Sequence, residues 1–384
     1  MERYQPDRVL HVVSAMNRGG TETLLMNVYR ELNRSKLQFD FISHREDECE
    51  YDKEIMAMGG RIIYIPSLGK SGPFTYVKLL REAMENYPYK AVHIHTDFQS
   101  GLPALAAKLA RIPVRICHSH STNWNKGNGI KASITLRFLK ALIKFAATDY
   151  CACSDEAGWF LFGYKPVKEG KVRVIHNGIP VQAFLQTGPG SRIDVRKQLE
   201  IPESASVIGH VGTFSSSKNQ VFILHILKQL LVNGHTFYAV FAGDGPMRKT
   251  AEETAAELGI QSYVRFAGIR GDIPQLMKSF DIFVFPSLFE GFGMVTLEAQ
   301  CAGTPCIAAD TVPVSTDMGL GLMTYAKLDK GPKAWSELIL ETMTRASPEP
   351  QTIFRQFSIR GFNITESISE WLSIYGDEKR GAHL

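Results

Sequence analysis

Glu290 and Glu298 stand eight positions apart in the stretch 286–299, PSLFEGFGMVTLEA. The apolar run Ile282–Pro286 predicts a buried strand, so Glu290 falls on the loop beyond its carboxyl end. The Gly291-Phe292-Gly293 turn then opens a helix, with Glu298 about one turn inside it. Two carboxylates that bracket a helix N-terminus can accept hydrogen bonds from the hydroxyls of one ligand while main-chain N–H groups hold its phosphates. A lone pair of glutamates is ordinarily solvated surface; a pair bracketing such a turn after a buried strand is not.

Three further turns follow predicted strands. Gly212–Asn219 is rich in small residues and ends in Lys218 at a helix start, which suits an anion, but it lacks the spacing of a triphosphate-binding P-loop. Gly19-Gly20 either serves a phosphate in the same way or is a tight turn that needs positive φ. It is not the G-x-G-x-x-G fingerprint, which weighs against a nicotinamide dinucleotide. Gly243-Asp244-Gly245-Pro246 reads as a plain strand-to-helix connection.

His93, His95, His118 and His120 gather at the ends of two consecutive predicted strands. Alternation sends His93 and His95 to one face, which by itself assembles no tetrahedral metal site, so the cluster reads as a polar wall and no metal is expected. The chain contains no Asp-x-Asp, so a magnesium-bridged diphosphate is not favoured, and the acidic run Glu46–Asp52 reads as a solvated loop. Six cysteines without a C-x-x-C pair fit neither a disulfide framework nor a zinc site, and reduced thiols are expected.

The net charge is only +4, but residues 1–183 carry 25 basic and 18 acidic side chains, against 18 and 21 in the remainder. No acidic residue lies between Asp97 and Asp149, where Lys108, Arg111, Arg115, Lys126, Lys131, Arg137, Lys140 and Lys144 all fall. An anionic partner or surface is implied, and nucleic acid is not the partner expected. Residues 130–147 predict an amphipathic helix, with Arg137, Lys140 and Lys144 within about 60° of arc and Ile134, Phe138, Leu142 and Phe145 on a separate stripe. That stripe reads as the core side of a surface helix; the basic side, with Lys131, suits anionic lipid headgroups.

These residues need a scaffold, and the chain supplies one of ordinary globular composition: 384 residues, 44% hydrophobic, 21% charged. Disorder is excluded, and the length suits two domains. Neither a signal peptide nor an apolar run of roughly 18 residues is found, so a cytoplasmic protein is expected. Strands predicted at 8–15, 38–43, 61–65, 91–95, 114–118 and 150–153 alternate with helices at 21–32, 52–58, 74–86 and 101–110. After the Gly/Pro-punctuated segment 177–190 the rhythm repeats, with strands at 207–211, 237–242, 264–267 and 282–286. The expected fold class is α/β, two doubly wound Rossmann-like domains with ligands in a cleft between them. Asn363 and Glu366 form an expected capping box for a last helix that must pack back on an earlier layer.

With these parts in order, the chain resembles the retaining glycosyltransferases of family 4, which have the GT-B architecture, and among them bacterial members that build exopolysaccharide or capsule. The resemblance rests on Gly19-Gly20 with Glu22, the His120 segment, Asn177-Gly178, the Lys218 loop, Gly243–Pro246, the segment 264–268 and, most specifically, Glu290 to Glu298 as E-x7-E. It implies an acceptor-binding domain over 1–185, a domain for a nucleotide diphosphate sugar over 186–352, and a tail over 353–384 returning to the first domain. By the same resemblance Glu298 holds the ribose hydroxyls, Glu290 with the main chain of Gly291, Phe292 and Gly293 the sugar, Lys218 and Gly20 the diphosphate, and Arg265-Phe266 the base. Thr213 lies on the diphosphate loop, and His120 lies beside the transferred sugar. His120, Glu290 and Lys218 are thus the candidate catalytic residues, with no cofactor and no metal. The implied partners are a UDP-sugar in preference to GDP, a polyprenyl-diphosphate-linked saccharide and the anionic inner face of the cell membrane, where the protein is peripheral.

The sequence departs from the family pattern twice. Thr213 stands where many members have Arg, and a hydroxyl cannot replace a bidentate guanidinium, so either Arg248, Arg265 or Arg270 compensates or donor binding is weak. Residues 310–319 also lack the Glu expected after the strand at 306–309. Two other readings stay open, a nucleotide-sugar epimerase of the same fold and a noncatalytic nucleotide-sugar-binding component of a polysaccharide assembly complex.

Overall fold

The structure is a computed structural model that describes residues 5–121, 130–188 and 190–376, and within 130–132 the backbone alone. Lys126 and the side chain of Lys131 therefore lie outside the described residues. The chain forms two compact units, residues 1–178 with 364–384, and residues 179–363.

The first unit holds strands β1 (Asp7–Val12), β2 (Leu37–Ser43), β3 (Ile62–Tyr64), β4 (Ala91–Ile94), β5 (Val114–Ser119), β6 (Asp149–Ala152) and β7 (Val172–Val174). They form one sheet in the order β3-β2-β1-β4-β5-β6-β7, every pairing parallel. The near-continuous apolar strands follow from this, because a parallel sheet is covered on both faces. The order reverses between β1 and β4, the place where such sheets bind ligands beyond their carboxyl ends.

The second unit holds β8 (Ser206–Val211), β9 (Phe237–Ala242), β10 (Val264–Gly268), β11 (Ile282–Phe285), β12 (Cys306–Ala309) and β13 (Met323–Ala326). The order is β10-β9-β8-β11-β12-β13, again all parallel, and it reverses between β8 and β11. Helix Gln220–Val232 packs on β9 and on helix Gly331–Thr342, burying Ile223, Leu227, Leu230, Trp335 and Ile339.

The chain passes between units at 178/179 and again at 363/364, not near 185 and 352. Gly178 shows why: a Cβ there would lie 2.9 Å from the Ile364 Cα, so the first unit takes its last helix at this point. That helix, Ile364–Ser373, packs on helix Gly20–Glu31 and buries Trp371 completely, and Tyr375, just past its end, is buried as fully. The expected capping box does not form, since the Asn363 amide donates to Ser358 Oγ while Glu366 is exposed.

Candidate active site

In the second unit the residues of interest converge at the β8/β11 reversal. The loop after β8 carries Lys218, the loop after β11 carries Glu290, and main-chain bonds stitch the loops together. Leu288 N donates to Ser217 O at 2.7 Å, and Asn219, in the left-handed region at φ 56°, donates its amide to Pro286 O at 3.3 Å. Lys218 Nζ then reaches Glu290 Oε1 at 2.5 Å and lies 4.8 Å from the centre of the Phe285 ring. Gly243 and Gly245 do more than connect a strand to a helix. A Cβ on Gly243, at φ +135°, would come 2.1 Å from Gly212 O, so the two loops pack main chain on main chain.

Gly293, at φ +90°, starts helix Met294–Cys301, and Thr296 Oγ1 returns a hydrogen bond to Gly293 O at 2.8 Å. Phe292 is buried against Phe362. Glu298 is half-buried, and loss of water around its carboxyl raises its pKa to about 7. Thr213 is exposed, its carbonyl held by the Gln220 amide. None of the three arginines expected to compensate for Thr213 has a disengaged guanidinium. Arg248 pairs with Glu252 and Arg270 with Asp272, while Arg265 donates to the carbonyls of Leu199, Glu200 and Ser262. Arg265 thus closes off the end of helix Gly190–Gln198, and only its main chain and the Phe266 ring, stacked on Phe241, remain for a base.

In the first unit, Gly20 opens helix Gly20–Glu31 and is exposed. Gly19 sits at φ −100°, so the turn needs no positive φ. The Glu22 carboxylate folds over Gly19, 2.3 Å from where a Cβ would stand, and burial raises its pKa to about 7. An acidic group thus already occupies the first turn, as the helix dipole favours.

The histidines form a layer. Register places His11 of β1 beside His93 of β4, and β5 adds His118, so three strands contribute to one face. His11 Nδ1 is 3.1 Å from His95 Nε2, and His95 Nδ1 is 2.9 Å from His120 Nε2. A second chain runs from Tyr375 Oη to His93 Nδ1 at 2.9 Å and from His93 Nε2 to His118 Nδ1 at 3.1 Å. Burial pushes all five imidazoles well below their usual pKa, so they are neutral. Alternation on one strand could not bring three ligands together, but neighbouring strands do. Among the described residues, ring nitrogens of His11, His93 and His95 lie within 4.8 Å of one another, as do those of His95, His118 and His120. Four ring contacts are made within the layer and its tyrosine, and the rings of His118 and His120 stack at 4.1 Å with 22° between planes. His11, Tyr375 and Asp97 are not among the site residues expected from the sequence; an imidazole interrupting the apolar run 9–13 is the signal for the first. Asp97, at φ 49°, accepts the His120 main-chain N–H at 2.7 Å, and burial raises its pKa to about 6.

Helix Ile130–Ala146 faces the other way from the expectation. Leu139, Ile143 and Ala146 enter the core, whereas Ile134, Phe138 and Phe145 are 61%, 58% and 62% exposed. Lys140 is half-buried and donates to Phe160 O. Lys108 and Arg115 donate to Phe145 O and Ala146 O, closing the helix end. Arg137 and Lys144 stay exposed beside the apolar stripe. Among the described residues no helix is long and apolar enough to cross a membrane.

Both units match known families. Residues 18–183 match the family described as Glycosyltransferase Family 4, and residues 191–318 match Glycosyl transferases group 1. EpsF of Bacillus subtilis (strain 168), named as a glycosyltransferase, is 42% identical over 370 residues, 96% of each chain. The Escherichia coli UDP-Gal:alpha-D-GlcNAc-diphosphoundecaprenol alpha-1,3-galactosyltransferase is 25% identical over 262 residues, 65% of this chain and 66% of that one. Among solved structures, HepE of Anabaena in complex with UDP and glucose shares the fold, with a TM-score of 0.76 at 20% identity over 95% of this chain and 99% of that one. The chain belongs to the family 4 glycosyltransferases, with the two Rossmann-like domains of the GT-B class.

Proposed function

We propose that the protein transfers a sugar from a UDP-sugar to a polyprenyl-diphosphate-linked saccharide, with retention of configuration, in exopolysaccharide or capsule synthesis. The observation that carries the reading is the Lys218–Glu290 pair at the β8/β11 reversal, with Glu298 on the helix that follows. An ammonium held by a carboxylate beside a glycine turn is a preorganised partner for a departing diphosphate. As the bond from the anomeric carbon to the diphosphate breaks, negative charge grows on the phosphate oxygens, and Lys218 stabilises it there. The acceptor oxygen bonds to the anomeric carbon on the face the phosphate leaves, and its proton passes to a phosphate oxygen. No step in this scheme calls for a metal ion. Glu290, released from Lys218, and the main chain of Gly291, Phe292 and Gly293 take the sugar hydroxyls, and Glu298 takes the ribose hydroxyls. On the first unit, the resemblance assigns Gly20 to the diphosphate and His120 to the transferred sugar.

The choice of donor and acceptor draws on the Escherichia coli relative, whose name gives UDP-Gal and a diphosphoundecaprenol-linked sugar, and on the UDP held by the Anabaena protein. The exposed stripe of Ile134, Phe138 and Phe145, flanked by Arg137 and Lys144 in a stretch without acidic residues, supports docking on an anionic lipid surface where such an acceptor resides. Thr213, with no free arginine beside it among 248, 265 and 270, favours the second reading, a noncatalytic nucleotide-sugar-binding component.

Thermal unfolding with UDP, GDP and their sugars, beside Glu298→Ala, tests the donor class. A ligand at 100 times its dissociation constant adds about 2.7 kcal/mol, several degrees of midpoint. A UDP-specific shift that disappears in the variant, with sugar transfer to a lipid-linked acceptor, is expected. Binding without transfer to any such acceptor would support the noncatalytic reading, and no shift with any nucleotide would remove both.

A further inference from the structure

A buried nitrogen of the histidine layer stands without a partner. His118 spends Nδ1 on His93 Nε2 at 3.1 Å, and its Nε2 has no hydrogen-bond partner among the described residues, in a residue with no exposure. A buried polar atom left in this state calls for a water or an ion. On the ring stacked beside it, His120 Nε2 meets His95 Nδ1 at 2.9 Å, two ring nitrogens over a single proton. Among the described residues, one nitrogen from each of His95, His118 and His120 lies within 4.8 Å of the other two. Tetrahedral zinc, with bonds to nitrogen of about 2.0–2.1 Å, sets its ligand atoms about 3.4 Å apart, so these rings close on an ion by moving about 1 Å or less. A second triad, His11, His93 and His95, meets the same spacing, but its residues are all buried. His120 alone of the five is half-buried, at the carboxyl end of β5, and gives the outer triad an entry path.

We infer that His95, His118 and His120 form a site for a divalent transition metal ion of the zinc class, bound through His95 Nδ1, His118 Nε2 and His120 Nε2. Three imidazoles suit zinc, copper, nickel or cobalt, and suit calcium and magnesium poorly, since those ions take oxygen ligands. The outer hydrogen bonds of such a site are already in place. A ligating imidazole donates its second ring N–H to a fixed acceptor, which sets its tautomer and orientation. His95 has His11 Nδ1 at 3.1 Å for this, and His118 has His93 Nε2 at 3.1 Å, a ring whose Nδ1 in turn lies 2.9 Å from Tyr375 Oη. His120 is tethered by its main-chain N–H on the Asp97 carboxyl at 2.7 Å, which also brings an acidic group to the edge of the site. Three ligands leave one tetrahedral position for water. The site does not rest on the transfer reading, which uses His120 alone of the three.

Cobalt(II) reads such a site by its colour. Tag-free full-length protein, stripped with a chelator, is titrated with cobalt(II) and then with zinc(II). One equivalent of cobalt should give the intense visible bands of a four-coordinate ion, zinc should displace it, and zinc should raise Tm. His120→Ala and His118→Gln should each abolish the bands, and His235→Ala, at an exposed histidine outside the layer, should keep them. His11→Phe keeps all three ligands but removes the acceptor for His95 Nε2–H, and should weaken zinc binding about 10–100-fold. No cobalt bands, or only the weak spectrum of a six-coordinate ion, overturns the inference. Bands that survive in His120→Ala overturn it too, and so does a near-ultraviolet charge-transfer band, which would place the ion on cysteine. Unchanged zinc affinity in His11→Phe overturns the assignment of His95 Nδ1 as a ligand atom. If His118→Gln does not fold, His120→Ala, at the half-buried end of the layer, still decides.

Discussion

The ammonium of Lys218 lies 2.5 Å from a carboxylate oxygen of Glu290, and the two residues arrive on loops from adjacent strands whose connections run to opposite sides of the sheet. The pair is partly enclosed, with side-chain exposures of 22% and 9%, so its charges are screened less than a surface pair. On the proposed function, a diphosphate entering the loop would compete with Glu290 for Lys218 and free the carboxylate for hydroxyls.

Lys218→Ala should therefore lower kcat/KM for the sugar nucleotide by about 10²–10³, the range for losing one preorganised donor to a developing anion. Steady-state transfer assays over donor concentration check this. A change below about tenfold would mean that the pair serves only to hold the two loops together.

Glu298 gives a pH signature. Its carboxyl, raised to about 7 by burial, binds a proton in the folded protein that the unfolded chain has released above its usual value of 4.5. The folded state then holds more protons between those values, so this group lowers stability as pH rises from 4.5 toward 7, and the loss levels off above 7. Glu22 and Asp97 act in the same direction, with pKa values raised to about 7 and about 6. Glu298→Gln should flatten only part of the slope, visible as a rise in Tm relative to wild type at pH 8 that is absent at pH 4.5. If the carboxylate accepts ribose hydroxyls, UDP affinity in the wild type should increase through pH 7, and calorimetry in buffers of different ionisation heat should show proton release.

The helix Ile130–Ala146 predicts lipid binding with a defined chemistry. Phosphatidylglycerol vesicles should sediment the protein and phosphatidylcholine vesicles should not. Arg137→Glu and Lys144→Glu should each remove about 1 kcal/mol or more, and added salt should mimic them. Phe138→Asp should remove binding at low salt as well, since a Phe side chain contributes about 1.5–3 kcal/mol on burial. Equal binding by Phe138→Asp and wild type would show that the stripe is not the contact.

Gly243→Ala places a methyl 2.1 Å from Gly212 O at a φ of +135°. Backbone strain of this kind costs about 1–3 kcal/mol before any clash, so a Tm loss of several degrees is expected. Because the displaced partner is the first residue of the Lys218 loop, UDP affinity should fall even at temperatures where the variant is fully folded.

The doubly wound pattern was legible because buried parallel strands are apolar along their whole length and alternate with amphipathic helices. Strands β7 and β13, at Val172–Val174 and Met323–Ala326, were not, since three- or four-residue edge strands show no period, and β3 of the same kind is marked only by the apolar run 62–65. Glu290, Glu298 and Lys218 stood out through glycine turns and position in the motif. The histidine layer did not, because register between β1, β4 and β5 decides which rings meet, and no single strand records it. Helix Ile130–Ala146 misled for a plain reason. Leu136, Leu139 and Ile143 form one apolar stripe and Ile134, Phe138 and Phe145 another, and periodicity does not say which of two stripes the fold covers.

The segment 364–376 carries Trp371 and Tyr375 into the layer that begins with His11 in the first strand. A ribosome finishes the N-terminal 178 residues long before it delivers these two aromatics, so the first unit cannot be completed until the whole second unit has been made. A chain that stops short of residue 364 leaves His93 without its tyrosine and helix Gly20–Glu31 without the helix packed on it.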